Sequence, residues 1–174
     1  MIKFIDDTTI KVVSAFAEFV ARVKGKNNFS FGANFLALTS ISLGIVGLIE
    51  ALNRGSWRMG GGIVTLVVFG ILVAGVWEVW GNLEYTKGIN PNEEPNLPRV
   101  SHMEAYRKNI VVRWGRVFYT CATYFMIARL PVGIEKVGIT AIFITLFFIA
   151  LWLLLYLPTV NKDRIRPYLY VSLQ

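Results

Sequence analysis

The sequence predicts an all-α integral membrane protein: four transmembrane helices paired as two hairpins, preceded by an N-terminal amphipathic helix on the membrane surface. Three observations predict it. More than half of the 174 residues (55%) are hydrophobic and the mean hydropathy is +0.53, too apolar for an ordinary soluble domain. Four apolar stretches, centred on residues 31–51, 59–80, 112–132 and 137–158, approach the roughly 20 helical residues that cross a bilayer core about 30 Å thick. Finally, 14 of the 18 Lys and Arg fall in three segments. These are the N-terminus (Lys3, Lys11, Arg22, Lys24, Lys26), the middle loop (Lys87, Arg99, Arg107, Lys108, Arg113, Arg116) and the tail (Lys162, Arg164, Arg166). Only Arg54, Arg58, Arg129 and Lys136 lie in the other two loops. Four crossings put the three basic segments on one side. Positive charge marks the cytoplasmic side, so both termini are expected in the cytoplasm, with the chain in the cell inner (plasma) membrane.

Five segments follow. Residues 1–28 form the cytoplasmic interfacial helix, 29–83 the first hairpin and 84–109 a cytoplasmic linker with a helix extension. Residues 110–158 form the second hairpin and 159–174 a cytoplasmic tail. Within the first, residues 8–24 read as the helix, with Asp6, Asp7, Thr8 and Thr9 as N-cap oxygens and favourable charge for the helix dipole. Lys11, Ser14, Glu18 and Arg22 recur at helical spacing as a narrow polar stripe on an otherwise apolar helix, the pattern of a helix lying in the interface or, alternatively, packed against a partner's cytoplasmic face. Asn27 to Ile49, Met59 to Trp77 and Val137 to Asn161 are free of charge, and each suffices for one crossing. The third span is shorter: only Val117 to Ala128 is uncharged, so Arg113, Arg116 and Arg129 must reach the headgroups. Outer loops of about Asn53 to Arg58 and Pro131 to Lys136 are short enough to force antiparallel hairpins. The segment Thr86 to Pro98, with three prolines, has turn composition. After it, Ser101 and Glu104 make a capping-box pattern that would start a long third helix.

Two seams stand out. In the first span Ala33, Ala37, Ser40, Gly44, Gly47 and Ala51 recur with heptad spacing. Small residues let helix backbones approach closely, and in lipid that contact stands in for the missing hydrophobic drive. The seam is expected to pack within the chain, against span two, where Gly70 and Ala74 match it, or span four, or else against another chain. In the third helix His102, Tyr106, Asn109, Arg113, Arg116, Thr120 and Thr123 form a polar seam that fades beyond Thr123. Polar groups are costly in hydrocarbon, so this stripe should face protein or water. Glu78 lies at the depth of Arg113 and Arg116 and is the candidate ion-pair partner for them; Glu50 and Arg129 are similarly level at the outer end.

Catalytic chemistry finds little purchase. His102 is the single histidine, Cys121 the single cysteine, and the only aspartates are Asp6, Asp7 and Asp163, all outside the spans. Metal or haem ligation, acid–base pairs and disulfides therefore have no residues to use. Gly60-Gly61-Gly62 lacks the lysine and strand of a phosphate loop. No enzyme activity, cofactor or metal is expected. The net charge of +7 suits a bilayer with an anionic cytoplasmic leaflet rather than nucleic acid. The expected role is a non-catalytic subunit that oligomerises or docks into a larger membrane complex, its partners other membrane subunits or copies of itself. The alternative is a homo-oligomeric pore or small transporter partly lined by the third helix.

Overall fold

The structure, a computed structural model, describes residues 1–24, 28–86, 106 and 108–160. Its helices are α1 (Ile2–Lys24), α2 (Asn28–Asn53), α3 (Trp57–Thr86), α4 (Ile110–Ala128), α5 (Leu130–Val137) and α6 (Thr140–Tyr156), closed by a 3-10 turn at Leu157–Thr159. No strand occurs among the described residues. Three segments are long and apolar enough to cross a bilayer: Phe31–Asn53, Trp57–Trp80 and Thr140–Thr159. A fourth exists only if α4 and α5, bent by 60° at their junction, count as one broken span. This is the make-up of a multi-pass membrane protein.

Contacts order the helices α3–α2–α6–α4, with α1 laid across the end where α2 and α4 begin and α6 finishes. The inner positions go to the helices that can be approached from two sides. One flank of α2 meets α3 in antiparallel register: Gly47 faces Ile63, Gly44 faces Val67, and Ser40 faces Gly70. The other flank meets α6, also antiparallel, with Gly32 beneath Leu154 and Leu157 and Glu50 beside Gly138. Half of the apolar window of α6 is buried (50%), against 39% for α2 and only 17% for α3, which is thus an edge helix. The core runs from Ala33, Leu36 and Leu43 of α2 to Ala74 of α3 and to Phe147, Ala150 and Leu154 of α6. Hydroxyls within the helices (Thr39, Thr65, Thr123, Thr145) bond back to carbonyls three or four residues earlier, so they need no outside partner.

Four sequence expectations change. First, α1 begins at Ile2, not residue 8, and Asp6 sits inside the helix rather than capping it. Its carboxylate is claimed by a tertiary partner, described below. Second, α4 starts at Ile110 with Asn109 as its N-cap, extended (φ −66°, ψ 124°) and accepting from the Val111 and Val112 amides at 2.9 and 3.3 Å. A continuous helix through this point is therefore broken; the Ser101–Glu104 box lies outside the described residues. Third, the expected outer loop at 131–136 is the helix α5. Pro131 falls in its first turn, where a missing N–H costs nothing, and Gly138 ends it at φ 61°, a conformation that favours glycine. The second pair is thus joined by a bent helix rather than a tight hairpin loop. Fourth, α2 packs against both α3, through the seam residues Ser40, Gly44 and Gly47, and α6, through Gly32 and Glu50, so the two expected hairpins share one packed row.

Candidate functional site

Among the described residues, the most constrained polar site joins α1 to α4. Projected down the helix axis, α1 has three faces. Asp6, Val13, Ala17 and Val20 are buried against the bundle; Phe4, Val12 and Phe19 are exposed and apolar; Lys3, Asp7 and Lys11 are exposed and charged. Asp6 and Asp7 are neighbours in sequence yet lie on different faces. Asp7 is in phase with Lys11, Ser14 and Glu18, whereas Asp6 is in phase with Val13, Ala17 and Val20. The backbone of α1 therefore carries the Asp6 carboxylate into the protein.

There it meets Arg116. The guanidinium donates from Nε to Oδ1 at 3.0 Å and from Nη2 to Oδ2 at 2.7 Å, a two-pronged pair in which each side chain is only 1% exposed. The third guanidinium nitrogen, Nη1, reaches the Tyr106 carbonyl at 3.4 Å. The rings of Tyr106 and Tyr156 lie 5.4 and 5.6 Å from Arg116 Cζ, within cation–π range. Arg113 approaches the same carboxylate, its Nε 3.4 Å from Oδ2, without making a hydrogen bond. Two guanidiniums thus share one carboxylate.

The network continues into the bundle. Thr120 donates to the Arg116 carbonyl at 2.9 Å, pairs with the Tyr156 hydroxyl at 3.0 Å and accepts from Trp152 Nε1 at 3.1 Å. The Tyr106 hydroxyl donates to the Leu155 carbonyl at 3.0 Å. Burial raises the Tyr106 phenol above its ordinary value despite the opposing pull of Arg116, so it remains a neutral donor. Bidentate arginine–carboxylate contact in a water-poor site is geometrically exacting, and the whole array latches α1 to α4. Among the described residues no group of three His, Cys, Asp or Glu is placed to hold a metal ion.

Of the expected polar seam, Tyr106, Arg113, Arg116 and Thr120 come together here, and Thr123 lies buried one turn on. Asn109 is exposed and serves as the cap, and His102 lies outside the described residues. The acid that meets both arginines is Asp6, not the Glu78 expected. Asp6 lies within hydrogen-bond reach because α1 docks on α4, whereas Glu78 sits on α3 at the far edge of the row. At the other end Glu50 pairs with Arg54 at 2.6 Å, one helical turn away, rather than with Arg129. The sequence did hold a signal for Asp6: it is the one acid of α1 out of phase with the polar stripe. Tyr156 and Trp152 gave no such signal, because aromatic residues at a span end are equally at home in headgroups.

The small-residue seam is packed within the chain. Ala33 and Ser40 are fully buried, Gly44, Gly47 and Ala51 are buried, and Ala37 is half-buried. A methyl group on Gly47 would lie 2.7 Å from Ile63 Cδ1, and one on Gly70 would collide with Ser40 Oγ and with Phe147. No protein-family model, no curated protein and no solved structure matches this chain.

Proposed function

We propose that this chain is a non-catalytic integral membrane subunit that docks into a larger membrane protein assembly, with both termini on the cytoplasmic side of the cell inner membrane. The carrying observation is the Asp6–Arg116 pair, which joins residues 110 apart and excludes water from both side chains. A helix that only had to rest on lipid would be held by its apolar face and its basic residues. Burying a carboxylate and a guanidinium costs several kcal/mol of desolvation each, and what the pair supplies in return is one orientation rather than raw stability. The latch fixes the azimuth of α1. It thereby presents Lys3, Asp7 and Lys11 as a rigid surface of mixed charge, a form suited to a protein partner's complementary charges.

The edges of the helix row are apolar: α3 leaves Val64, Val68, Leu72 and Val79 exposed, and α4 leaves Trp114, Phe118 and Phe125 exposed, a surface that lipid or a neighbouring subunit covers equally well. The pore alternative gains no support from the polar seam, since Arg116 and Thr120 bond within the chain.

Native mass spectrometry of the chain extracted in mild detergent from its own membrane tests the reading. A heteromeric assembly of fixed stoichiometry is expected, lost when Lys3→Glu and Lys11→Glu are combined although the variant melts like the wild type. A homomeric ring would move the assignment to the pore, and a monomer under all extraction conditions would overturn docking altogether. Orientation is tested in a Cys121→Ser background. Ser56→Cys and Glu135→Cys should react with an impermeant thiol reagent added outside intact cells, and Lys11→Cys should not.

A further inference from the structure

At the end of the bundle opposite α1, the 60° bend between α4 and α5 opens a cavity of about 350 Å³ against the start of α6. Its walls are apolar, with Met126 and Ile144 among them, but Arg129 and Lys136 also line it. Both cations are exposed. Neither has a carboxylate within 4 Å among the described residues, because the nearby Glu50 is taken by Arg54 and abuts Gly138. Arg129 folds back over the Phe125 ring, 5.3 Å from its centroid, which keeps its guanidinium on the cavity wall. With α4 and α5 as one broken span, the mouth falls where a bilayer's headgroups begin and the apolar walls where its chains begin.

We propose that this groove binds an anionic phospholipid, with the headgroup phosphate between Arg129 and Lys136 and the first part of one acyl chain against Met126 and Ile144. Charge complementarity selects the occupant. Two cations at the rim without a carboxylate partner call for a phosphate, and an anionic lipid headgroup is the phosphate a membrane brings to that depth. A guanidinium is well matched to a phosphate because it offers paired donors in a fixed plane. The volume lies at the small end of ligand pockets, roughly 300–1,000 Å³, so the site takes one chain's upper part and not a whole lipid. The lipid would fill the angle that the bend leaves open and brace α5 against α6.

The experiment uses the full chain, purified and delipidated in detergent, with native mass spectrometry as readout and dioleoyl phosphatidylglycerol or dioleoyl phosphatidylcholine as probe. One phosphatidylglycerol is expected to bind tighter than phosphatidylcholine. Arg129→Gln and Lys136→Gln should each weaken it about fivefold and the double variant about 25-fold, whereas Arg58→Gln, a cation at the same end that does not line the groove, should not. Equal retention of the two lipids, or phosphatidylglycerol binding unchanged in the double variant, would overturn the proposal. So would inorganic phosphate displacing the lipid at equal concentration, since that would mean the groove reads the phosphate alone. Should the double variant fail to purify, the exposed Lys136→Gln carries the test by itself.

Discussion

The contact of α2 with α3 and the contact of α1 with α4 solve one problem in opposite ways. Lipid chains are as apolar as leucine, so burying apolar surface gives membrane helices no reason to associate. α2 and α3 associate by shape. Gly44, Gly47 and Gly70 remove side chains where Val67, Ile63 and Ser40 need room, and a long interface follows from that fit. α1 and α4 touch over a shorter length and are held by chemistry: one carboxylate, two guanidiniums and the tyrosine and threonine hydroxyls around them. A shape-held contact distributes its energy over many small terms. The polar latch concentrates it in one place, where removing a single partner leaves a buried charge unmatched. The two regions should therefore respond differently to mutation.

The largest effect is expected at the latch. Asp6→Asn strands two guanidiniums and should cost about 3–5 kcal/mol, the range for breaking a buried pair by removing one member. Arg116→Gln should cost less, because Arg113 already lies 3.4 Å from the carboxylate and can move to replace it. In the double variant Asp6→Asn with Arg116→Gln, the loss should be well below the sum of the singles. Unfolding titrations in mixed detergent micelles give this cycle directly, and strictly additive losses would mean that the two residues do not act as a pair.

The shape-held contact should yield next. Gly70→Leu must displace both Ser40 and Phe147, and Gly47→Leu must displace Ile63, so each should lower stability by about 1–3 kcal/mol, the usual cost of overpacking. Gly75 lies on the same helix as Gly70, and a methyl group added there would meet nothing within 4 Å. Gly75→Ala should therefore leave stability unchanged or slightly raised. If Gly75→Ala were as harmful as Gly70→Leu, glycine would matter to α3 as backbone rather than as a gap for a neighbour.

The smallest effect probes the reach of the polar network. Thr120→Val keeps the side-chain shape but strands the Trp152 donor and the Tyr156 hydroxyl, for a loss of about 1 kcal/mol; Thr120→Ser should recover most of it. Melting curves of the three proteins side by side decide the matter. A serine variant no better than valine would assign the effect to the methyl group's packing.

Much of this organisation was written along the chain. Helices long and apolar enough to cross a bilayer follow from runs without charge. The small residues of α2 and their counterparts Gly70 and Ala74 follow from spacing alone, because a heptad repeat fixes which side chains share a face whatever that face meets. The three-faced character of α1 was also present, in the phase difference between Asp6 and Asp7. What the chain could not state was the partner. Depth along the spans pointed to Glu78 as the acid for Arg116, and the structure gives Asp6 instead. The choice between them depends on which helix lies beside α4, and that follows from α6 and α1, not α3, taking the adjoining places. The fate of residues 131–136 was likewise undecided by composition, since a proline and a glycine a few residues apart fit a loop or a short capped helix equally well. Periodicity is a property of one helix and can be read from one segment. Adjacency is a property of the whole packed row, fixed only when every helix competes for the same neighbours.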